Sequence, residues 1–406
     1  MRRAVVYDVI LPGTGRSCAE QRISETASLL DTFGGIVVCK VIQRRHHTGS
    51  CSFVGRGKLN ELIDISGIND ADLLIVNNAL KPAQLYALQE TIENSRKKIE
   101  VWDRVDLILK IFQKHARSAE AKLQVRLACL NHLGPRIYDM SEELGREGGG
   151  SRGGAANKGV GETNTEIMKR YIAEQKRLAK KKIDSLQASR ELNRKRRQKN
   201  GLQTVSIIGY TNAGKSSIFQ NLTSKRTYIE NKLFATLDTL TGLVYLPQLG
   251  CEVLLADTIG FIRDLPPKLI DAFRSTLEET RYADILLHAV DSGDPDAELH
   301  IESVNKILDE IGCGEIPRIF VFTKIDIAET SPMVRFCNYN GVFVSSVDKS
   351  GFSELKNAIC AALTQKTVIK ENCALPIEPE VCVCLDKSIH SSERSGYTSI
   401  AASSYG

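Results

Sequence analysis

The run GYTNAGKSS sets two glycines, a lysine and two hydroxyls at the spacing G-x-x-x-x-G-K-[ST], from Gly209 to Ser216, between a strand-like TVSIIG and a helix-like stretch. Gly209 and Gly214 let the backbone curl, so that successive N–H groups across Tyr210, Thr211, Asn212, Ala213 and on to Ser217 point at phosphate oxygens. The start of the helix adds positive potential there. Lys215 then reaches the β- and γ-phosphates, and the Ser216 hydroxyl is placed to ligate Mg²⁺. Further on, DTIG (Asp257 to Gly260) directly follows an apolar run. Its carboxylate suits Mg²⁺ held through water, and its glycine N–H suits sensing of the γ-phosphate. Thr236, in FATLDT between the two motifs, is a candidate to close over the metal when the γ-phosphate is present. The metal set is therefore Ser216, Thr236 and Asp257, and the catalytic set Lys215, Thr236 and Gly260.

The base-reading element is TKID. It follows RIFVF, and the Asp326 carboxylate can accept two hydrogen bonds from guanine N1–H and the exocyclic amine, which adenine does not offer. Lys324 covers the ring face, and Thr323 opens the motif. A backbone N–H near Ser345 and Ser346, after GVF, is placed for guanine O6. A site built on such hydrogen bonds rejects the wrong base by roughly 10⁴. The four elements in this order, each after its own strand, point to GTP.

Such motifs need a scaffold. QTVSIIG, CEVLLADTIG, ADILLHAVDSGD, RIFVFTKID and GVFVSS are compact apolar strands with helix-like runs between them. Repeated βα units predict an α/β GTPase domain over 201–366, a mostly parallel sheet with helices on both faces and its ligand at the carboxyl ends of the strands. Residues 1–110 also alternate apolar runs (GGIVVCKVI, ADLLIVNNAL) with helix-like stretches and predict a small N-terminal α/β domain. GRGK at 55–58 lacks the full phosphate-loop spacing and reads as a turn, and the lone Trp102 reads as core. Residues 111–200 predict a helical hairpin, Leu123, Leu127 and Leu130 facing Ile167, Tyr171, Leu178 and Leu186. The Ser-rich 367–406 is expected to be a poorly ordered tail.

Charge is unevenly spread. The 406 residues carry a net +5, yet 169–199 hold 13 Lys or Arg against three acids, a net +10. Residues 145–161 contain eight glycines in 17 positions, interspersed with Arg146, Arg152 and Lys158. Bare backbone with cations suits close approach to RNA phosphates, and the run Arg194, Lys195, Arg196, Arg197 extends the same chemistry. At 42% hydrophobic and 25% charged, the composition excludes a wholly disordered chain. No apolar run approaches the ~20 residues of a membrane helix. Eleven cysteines without a CxxC pair read as reduced thiols of a cytoplasmic protein rather than a zinc site. Peripheral membrane association stays open, and a monomer is expected.

These motifs, with GRGKLNEL (55–62), ARSAEAKLQVRLACLNHLGPR (116–136), GGGSRGGAANKGVGETNTEI (148–167), LFATLDT and DTIGFIRDLP, resemble the HflX GTPases over roughly residues 30 to 365. The resemblance implies a translation-factor-related GTPase that binds the large ribosomal subunit, slow until the ribosome stimulates it, and splits or rescues ribosomes. Its Gly-rich hairpin tip would approach ribosomal RNA. The family places a phenylalanine, here Phe261, where Ras-like enzymes carry the water-positioning glutamine, and a phenyl ring cannot orient water by hydrogen bonding. Three departures stand out: Thr323 replaces the usual asparagine, Lys158 and Val160 replace an arginine and a proline, and the C-terminal region does not match the family's small extra domain. Two other readings remain at this point, a nucleotide-gated ribosome- or RNA-binding module with negligible hydrolysis and an assembly GTPase of the Obg type. If Asp326 reads the base, Asp326→Asn shifts preference from guanine to xanthine nucleotides, whose base offers a carbonyl where guanine has its amine. Competition binding measures this, and an unchanged guanine preference contradicts the assignment.

Overall fold

The computed structural model describes residues 1–13, 15–46, 53–95, 97–132, 164–223, 234, 240–258, 260–263, 269, 280–328 and 331–374. The N-terminal part is built from β1 (Arg2–Ile10), α1 (Arg16–Phe33), β2 (Gly35–Arg44), α2 (Arg56–Ile68), β3 (Leu73–Val76), α3 (Pro82–Asn94), β4 (Glu100–Asp103) and α4 (Arg104–His115). Its four strands are all parallel, in the order β2-β1-β3-β4. The central strand β1 is buried continuously from Ala4 to Ile10, as a parallel strand covered on both faces must be. It contains Asp8, wholly buried and paired in a fork with Arg22 of α1 at 3.0 and 3.1 Å. That carboxylate breaks the apolar run in the sequence while the ion pair makes its burial tolerable. GRGK is the start of α2, with Gly55 as its N-cap, and Trp102 is core at 3% exposure. Helix α4 starts on a reciprocal cap: the Asp103 carboxylate accepts the Asp106 N–H at 2.8 Å, and Asp106 accepts the Asp103 N–H at 3.1 Å.

The chain does not continue as one helix from Val105 to Leu133. It breaks at 116–118, and a separate helix α5 covers 119–132, so a boundary at 110 falls inside α4. Helix α6 (Asn164–Lys199) runs antiparallel to α5, joined by Arg126–Gln175 and Arg190–Glu120, both at 2.6 Å. The expected leucine stripes do not form the seam. Ala121, Val125 and Ala128 of α5 and Ile172, Ala179 and Ile183 of α6 are buried, whereas Leu123, Leu127 and Leu130 are half-buried. Ile167, Tyr171, Leu178 and Leu186 are 36–56% exposed, and at 3.6 residues per turn they lie roughly 40° to 140° around α6 from that seam.

The second sheet comprises β5 (Thr204–Gly209), β6 (Leu240–Leu246), β7 (Cys251–Asp257), β8 (Ile285–Asp291), β9 (Arg318–Thr323) and β10 (Gly341–Phe343), with α7 (Lys215–Thr223), α8 (Ala297–Glu310), α9 (Pro332–Arg335) and α10 (Phe352–Ala374). Its order is β10-β9-β8-β5-β7-β6, parallel except for β6 at the edge. In β6 Gly242, Val244 and Leu246 are buried and Leu243 and Tyr245 exposed, the alternation of an edge strand with one wet face. The expected mostly parallel α/β sheet is what forms. Helix α10 continues to Ala374, eight residues into the expected tail; residues 375–406, like the glycine-rich 145–161, lie outside the described residues. Within residues 1–365 the hydrophobic core is continuous between the two sheets, running from Trp102 and Phe112 through Phe234 and Phe261 to Leu286 and Val304. No helix of the described residues is long and apolar enough to cross a membrane.

His288 of β8 is 1% exposed, stacks on Phe320 at 5.1 Å, and its Nδ1 has no hydrogen-bond partner among the described residues. Burial, with Arg318 and Lys215 nearby, pushes its ionisation down to about 3. The unfolded chain therefore binds a proton there between pH 6.5 and about 3 that the folded chain refuses. Folding stability is expected to fall as pH falls through that window, by up to about 1.4 kcal/mol per pH unit for the one proton. Unfolding of the unaltered chain and His288→Leu across pH 3–7 measures it, and an equal pH slope in the two chains rules it out.

Candidate functional site

Strand β5 delivers its last residue, Gly209, into a turn with φ +146°, where a Cβ would lie 2.3 Å from the Ala289 carbonyl oxygen. Only glycine fits. Asn212 and Gly214 also take positive φ, at 64° and 79°, completing the curl before α7 begins at Lys215. The Lys215 ammonium is 6% exposed and donates to the Tyr210 carbonyl at 2.7 Å. Burial pushes it down to about 8, partly offset by Asp257. Asp257, at the carboxyl end of β7, is wholly buried; it accepts the Ser216 hydroxyl at 2.8 Å through Oδ2, while Oδ1 has no partner among the described residues. Burial pushes its carboxyl up to about 6, against the pull of Lys215 and Ser216. A hydroxyl and a buried carboxylate with an oxygen to spare are the hard oxygen donors that Mg²⁺ takes, so the residues present fit the metal the fold implies.

On the base side, the Thr323 hydroxyl donates to the Ala213 carbonyl at 3.0 Å, tying the phosphate loop to β9. The threonine at this departure is thus a bridge between two motifs. Lys324 takes φ +58° and pairs with Asp291 of β8 at 2.8 Å. Asp326 accepts the hydroxyl of the buried Ser345 at 2.7 Å, which joins the TKID and VSSV elements. The Ser346 carbonyl accepts from Asn221 of α7 at 3.5 Å.

The DTIG segment is zipped onto the phosphate loop. Phe261 donates its N–H to Gly209 at 3.1 Å and accepts from Thr211 N–H at 2.8 Å; its ring is 2% exposed. A Cβ on Gly260 would lie 2.9 Å from both the Lys215 ammonium and the Thr211 methyl, so this glycine allows the closest approach of the two motifs. The N-terminal domain also reaches the site, which the motifs did not foretell. The Tyr210 hydroxyl donates to Glu25 of α1 and accepts the Arg263 N–H at 2.8 Å. Glu25 pairs with Arg104 of α4 at 2.8 Å, and Arg104 donates to the Arg263 carbonyl at 3.3 Å. Burial and Glu25 push the Tyr210 phenol far above its ordinary range. Phe234, two residues before Thr236, meets Phe112 edge-on at 4.7 Å, and its carbonyl lies 2.9 Å from His115 Nδ1. An aromatic inside a phosphate loop, and another just before the switch threonine, were the only sequence signals of these contacts. Thr236 itself lies outside the described residues, as do Arg146, Arg152 and Lys158.

The basic run divides. Lys195 and Arg196 are exposed, as expected for phosphate contact, but Arg194 and Arg197 turn inward. The Arg194 guanidinium lies 3.4 Å from the Tyr282 ring centroid, and Arg197 Nε is buried. Their faces follow the helix period, since 190, 194 and 197 continue the buried seam of Ile172, Ala179 and Ile183.

Sheet order, phosphate loop, switch carboxylate and base element together define a P-loop GTPase. Residues 20–113, 115–197 and 204–324 match family models described as GTP-binding GTPase N-terminal, GTP-binding GTPase middle region and 50S ribosome-binding GTPase. The GTPase HflX of Caldanaerobacter subterraneus subsp. tengcongensis is 40% identical over 350 residues, 86% of this chain and 79% of its own. That of Alkalihalophilus pseudofirmus is 38% identical over 344 residues, covering 85% and 79%. A crystal structure of SsGBP in complex with GDP shares the fold at a TM-score of 0.50 and 23% identity, over 90% of this chain and 99% of the other. The chain belongs to the HflX GTPase family and is a GTP hydrolase.

Because a Cβ at position 260 presses on Lys215 and Thr211, Gly260→Ala is expected to lower GTP turnover by about tenfold or more, with GDP affinity held within about threefold. Turnover assays beside GDP titration test this, and equal losses in both point to general damage instead.

Proposed function

We propose that this GTPase binds the large ribosomal subunit when loaded with GTP, splits or rescues ribosomes in the cytoplasm as a monomer, and leaves on hydrolysis. The observation that carries the reading is the set of cations that α6 exposes. Arg170, Lys180, Lys181, Lys182, Arg196 and Lys199 are all exposed on a helix that leads within a few residues into β5 and the phosphate loop. Family membership supports it, as does the 50S-binding description of the model that matches the GTPase region. In this reading the part that ends with α4 acts as N-terminal domain, α5 and α6 as RNA-binding hairpin, and the part that begins at β5 as GTPase domain.

In the pocket, the backbone from Tyr210 to Ser217 cradles the phosphates and Lys215 meets the β- and γ-oxygens. Ser216, Thr236 and Asp257 would hold Mg²⁺, which would supply neutralising charge beside the phosphates when bound. Gly260 donates its N–H to the γ-phosphate, Asp326 and Lys324 hold guanine, and the turn at Ser345 and Ser346 faces its carbonyl. Phe261 is buried and apolar, so no side chain there orders the attacking water. Turnover is consequently slow until the ribosome rearranges the segment. Phe261 also motivates a second reading, a nucleotide-gated binding module with negligible hydrolysis on or off the ribosome, which family membership disfavours.

Sedimentation with large subunits under non-hydrolysable GTP, GDP and ATP analogues tests the proposal. Binding is expected with the GTP analogue alone. With six or more phosphates engaged, affinity falls by about 10³ or more between 50 and 200 mM salt. No binding at low salt sinks the reading. Light scattering of intact ribosomes separates splitting, which lowers the signal with GTP, from an assembly role, which leaves it unchanged.

A further inference from the structure

The segment that starts at Asp257 leaves the nucleotide pocket through Arg263 and returns to the sheet at 280–284. Its near end is clasped by Tyr210 and Arg104. Its far end is a tight turn. Ala283 N–H donates to the Thr280 carbonyl at 3.2 Å, and Thr280 is wholly buried. Asp284 grips the first residue of β5 twice, its N–H donating to the Thr204 carbonyl at 2.7 Å and its carboxylate accepting the Thr204 N–H at 2.9 Å. The base of β8, the base of β5 and the exit of the switch segment thus meet at one place.

A side chain from α6 presses on that turn. The Arg194 guanidinium stacks on Tyr282, its carbon 3.4 Å from the ring centroid; the arginine side chain is 20% exposed and the tyrosine 43%. One turn earlier, Arg190 is fastened to Glu120 of α5 at 2.6 Å. About two turns later α6 ends in a left-handed Gly201 (φ +70°), where Asn200 N–H donates to the Arg196 and Arg197 carbonyls and Leu202 N–H to that of Arg197, each at 3.1 Å. The helix is therefore joined to the GTPase domain by a capped, short connection and by this stack. At 3.6 residues per turn, Arg170, Arg177, Lys181, Lys195 and Lys199 share one face, roughly 150° around from the seam of Arg190, Arg194 and Arg197.

Resting on the reading that the exposed face of α6 binds ribosomal RNA, we propose that Arg194 is a positioning residue for GTP hydrolysis. Its stack on Tyr282 is the contact through which RNA bound along α6 shifts the far end of the switch segment. Phosphates draw the outer face of the helix towards them, the seam moves with it, and the flat stack carries the Tyr282 turn along. Asp284 and Thr204 pass the shift to β8 and β5, whose other ends hold Asp291 and the phosphate loop. A six-residue strand spans about 20 Å, the length this coupling has to cover.

Arg194→Lys keeps the charge but not the planar stack, Tyr282→Leu removes the ring, and Tyr282→Phe keeps it. Turnover is measured alone and with purified large ribosomal subunits, and affinity by sedimentation. In all three variants basal turnover and affinity are expected within about twofold of the unaltered chain, while stimulated turnover drops at least about fivefold in Arg194→Lys and Tyr282→Leu and survives in Tyr282→Phe. Full stimulation in Arg194→Lys or Tyr282→Leu overturns the proposal, as does its loss in Tyr282→Phe. Loss of sedimentation in Arg194→Lys also overturns it, because Arg194 is then a phosphate contact. An unaltered chain that itself fails to sediment with subunits defeats the ribosome reading, and the proposal falls with it; only that result appears before any variant is made.

Discussion

Lys215 and Asp257 are both sealed from solvent, and burial works against the charge on each, pushing the ammonium down to about 8 and the carboxyl up to about 6. Keeping two such groups side by side in a dry pocket is costly unless ligands of opposite charge arrive, so the pocket is poised for a polyphosphate and a divalent cation together. The surrounding architecture follows from that constraint. Asp257 ends β7 and Lys215 follows the end of β5 by one short loop, and β5, β7 and β8 are buried along most of their length. Gly260 is squeezed against Lys215, where bulk would hold the two charged motifs apart, and Gly209 against Ala289, where bulk would part β5 from β8.

The placement of the motifs at strand ends was legible in the sequence because each motif is local. Gly209 to Ser217, Asp257 to Gly260 and Thr323 to Asp326 are each a strand end followed by a loop, and such units announce themselves by short-range pattern. The elements that escaped notice break the pattern for physical reasons. Strand β1 hides behind Asp8, whose partner Arg22 lies on another element. Strand β6 is half wet and alternates. The hairpin seam differs from the expected stripes because Ile172, Ala179 and Ile183 of α6 and Ala121, Val125 and Ala128 of α5 are the buried residues, a choice that spacing alone does not make between neighbouring apolar positions.

Contacts between distant residues were illegible for a different reason. Glu25 and Tyr210 are 185 residues apart, and Arg104 and Arg263 are 159 apart. Nothing near Glu25 or Arg104 marks them as neighbours of a phosphate loop. Yet these side chains hold both the N–H and the carbonyl of Arg263, two residues beyond Phe261. The continuous core through Phe112, Phe234 and Phe261 makes the same point with apolar contacts. The GTP site is therefore a joint product of two α/β layers, with Phe234 and Arg263 both held by side chains of the N-terminal domain.

The charge of the chain has a similar structure. A net +5 is the remainder after one helix contributes +10, so the rest of the molecule is mildly acidic. Within that helix the charge divides again. Arg190 and Arg194 are spent inward, on Glu120 and the Tyr282 ring, where the long arginine stem and flat guanidinium can fill a seam that would otherwise need apolar bulk. A seam of leucines would have packed as well, but it would not have ended on an aromatic ring at the exit of a switch segment. The outward bases are set by the helix period and remain for a polyanion. A single α-helix can thus carry an electrostatic surface on one side and a specific contact to the GTPase domain on the other, with rigidity between them supplied by backbone hydrogen bonding alone.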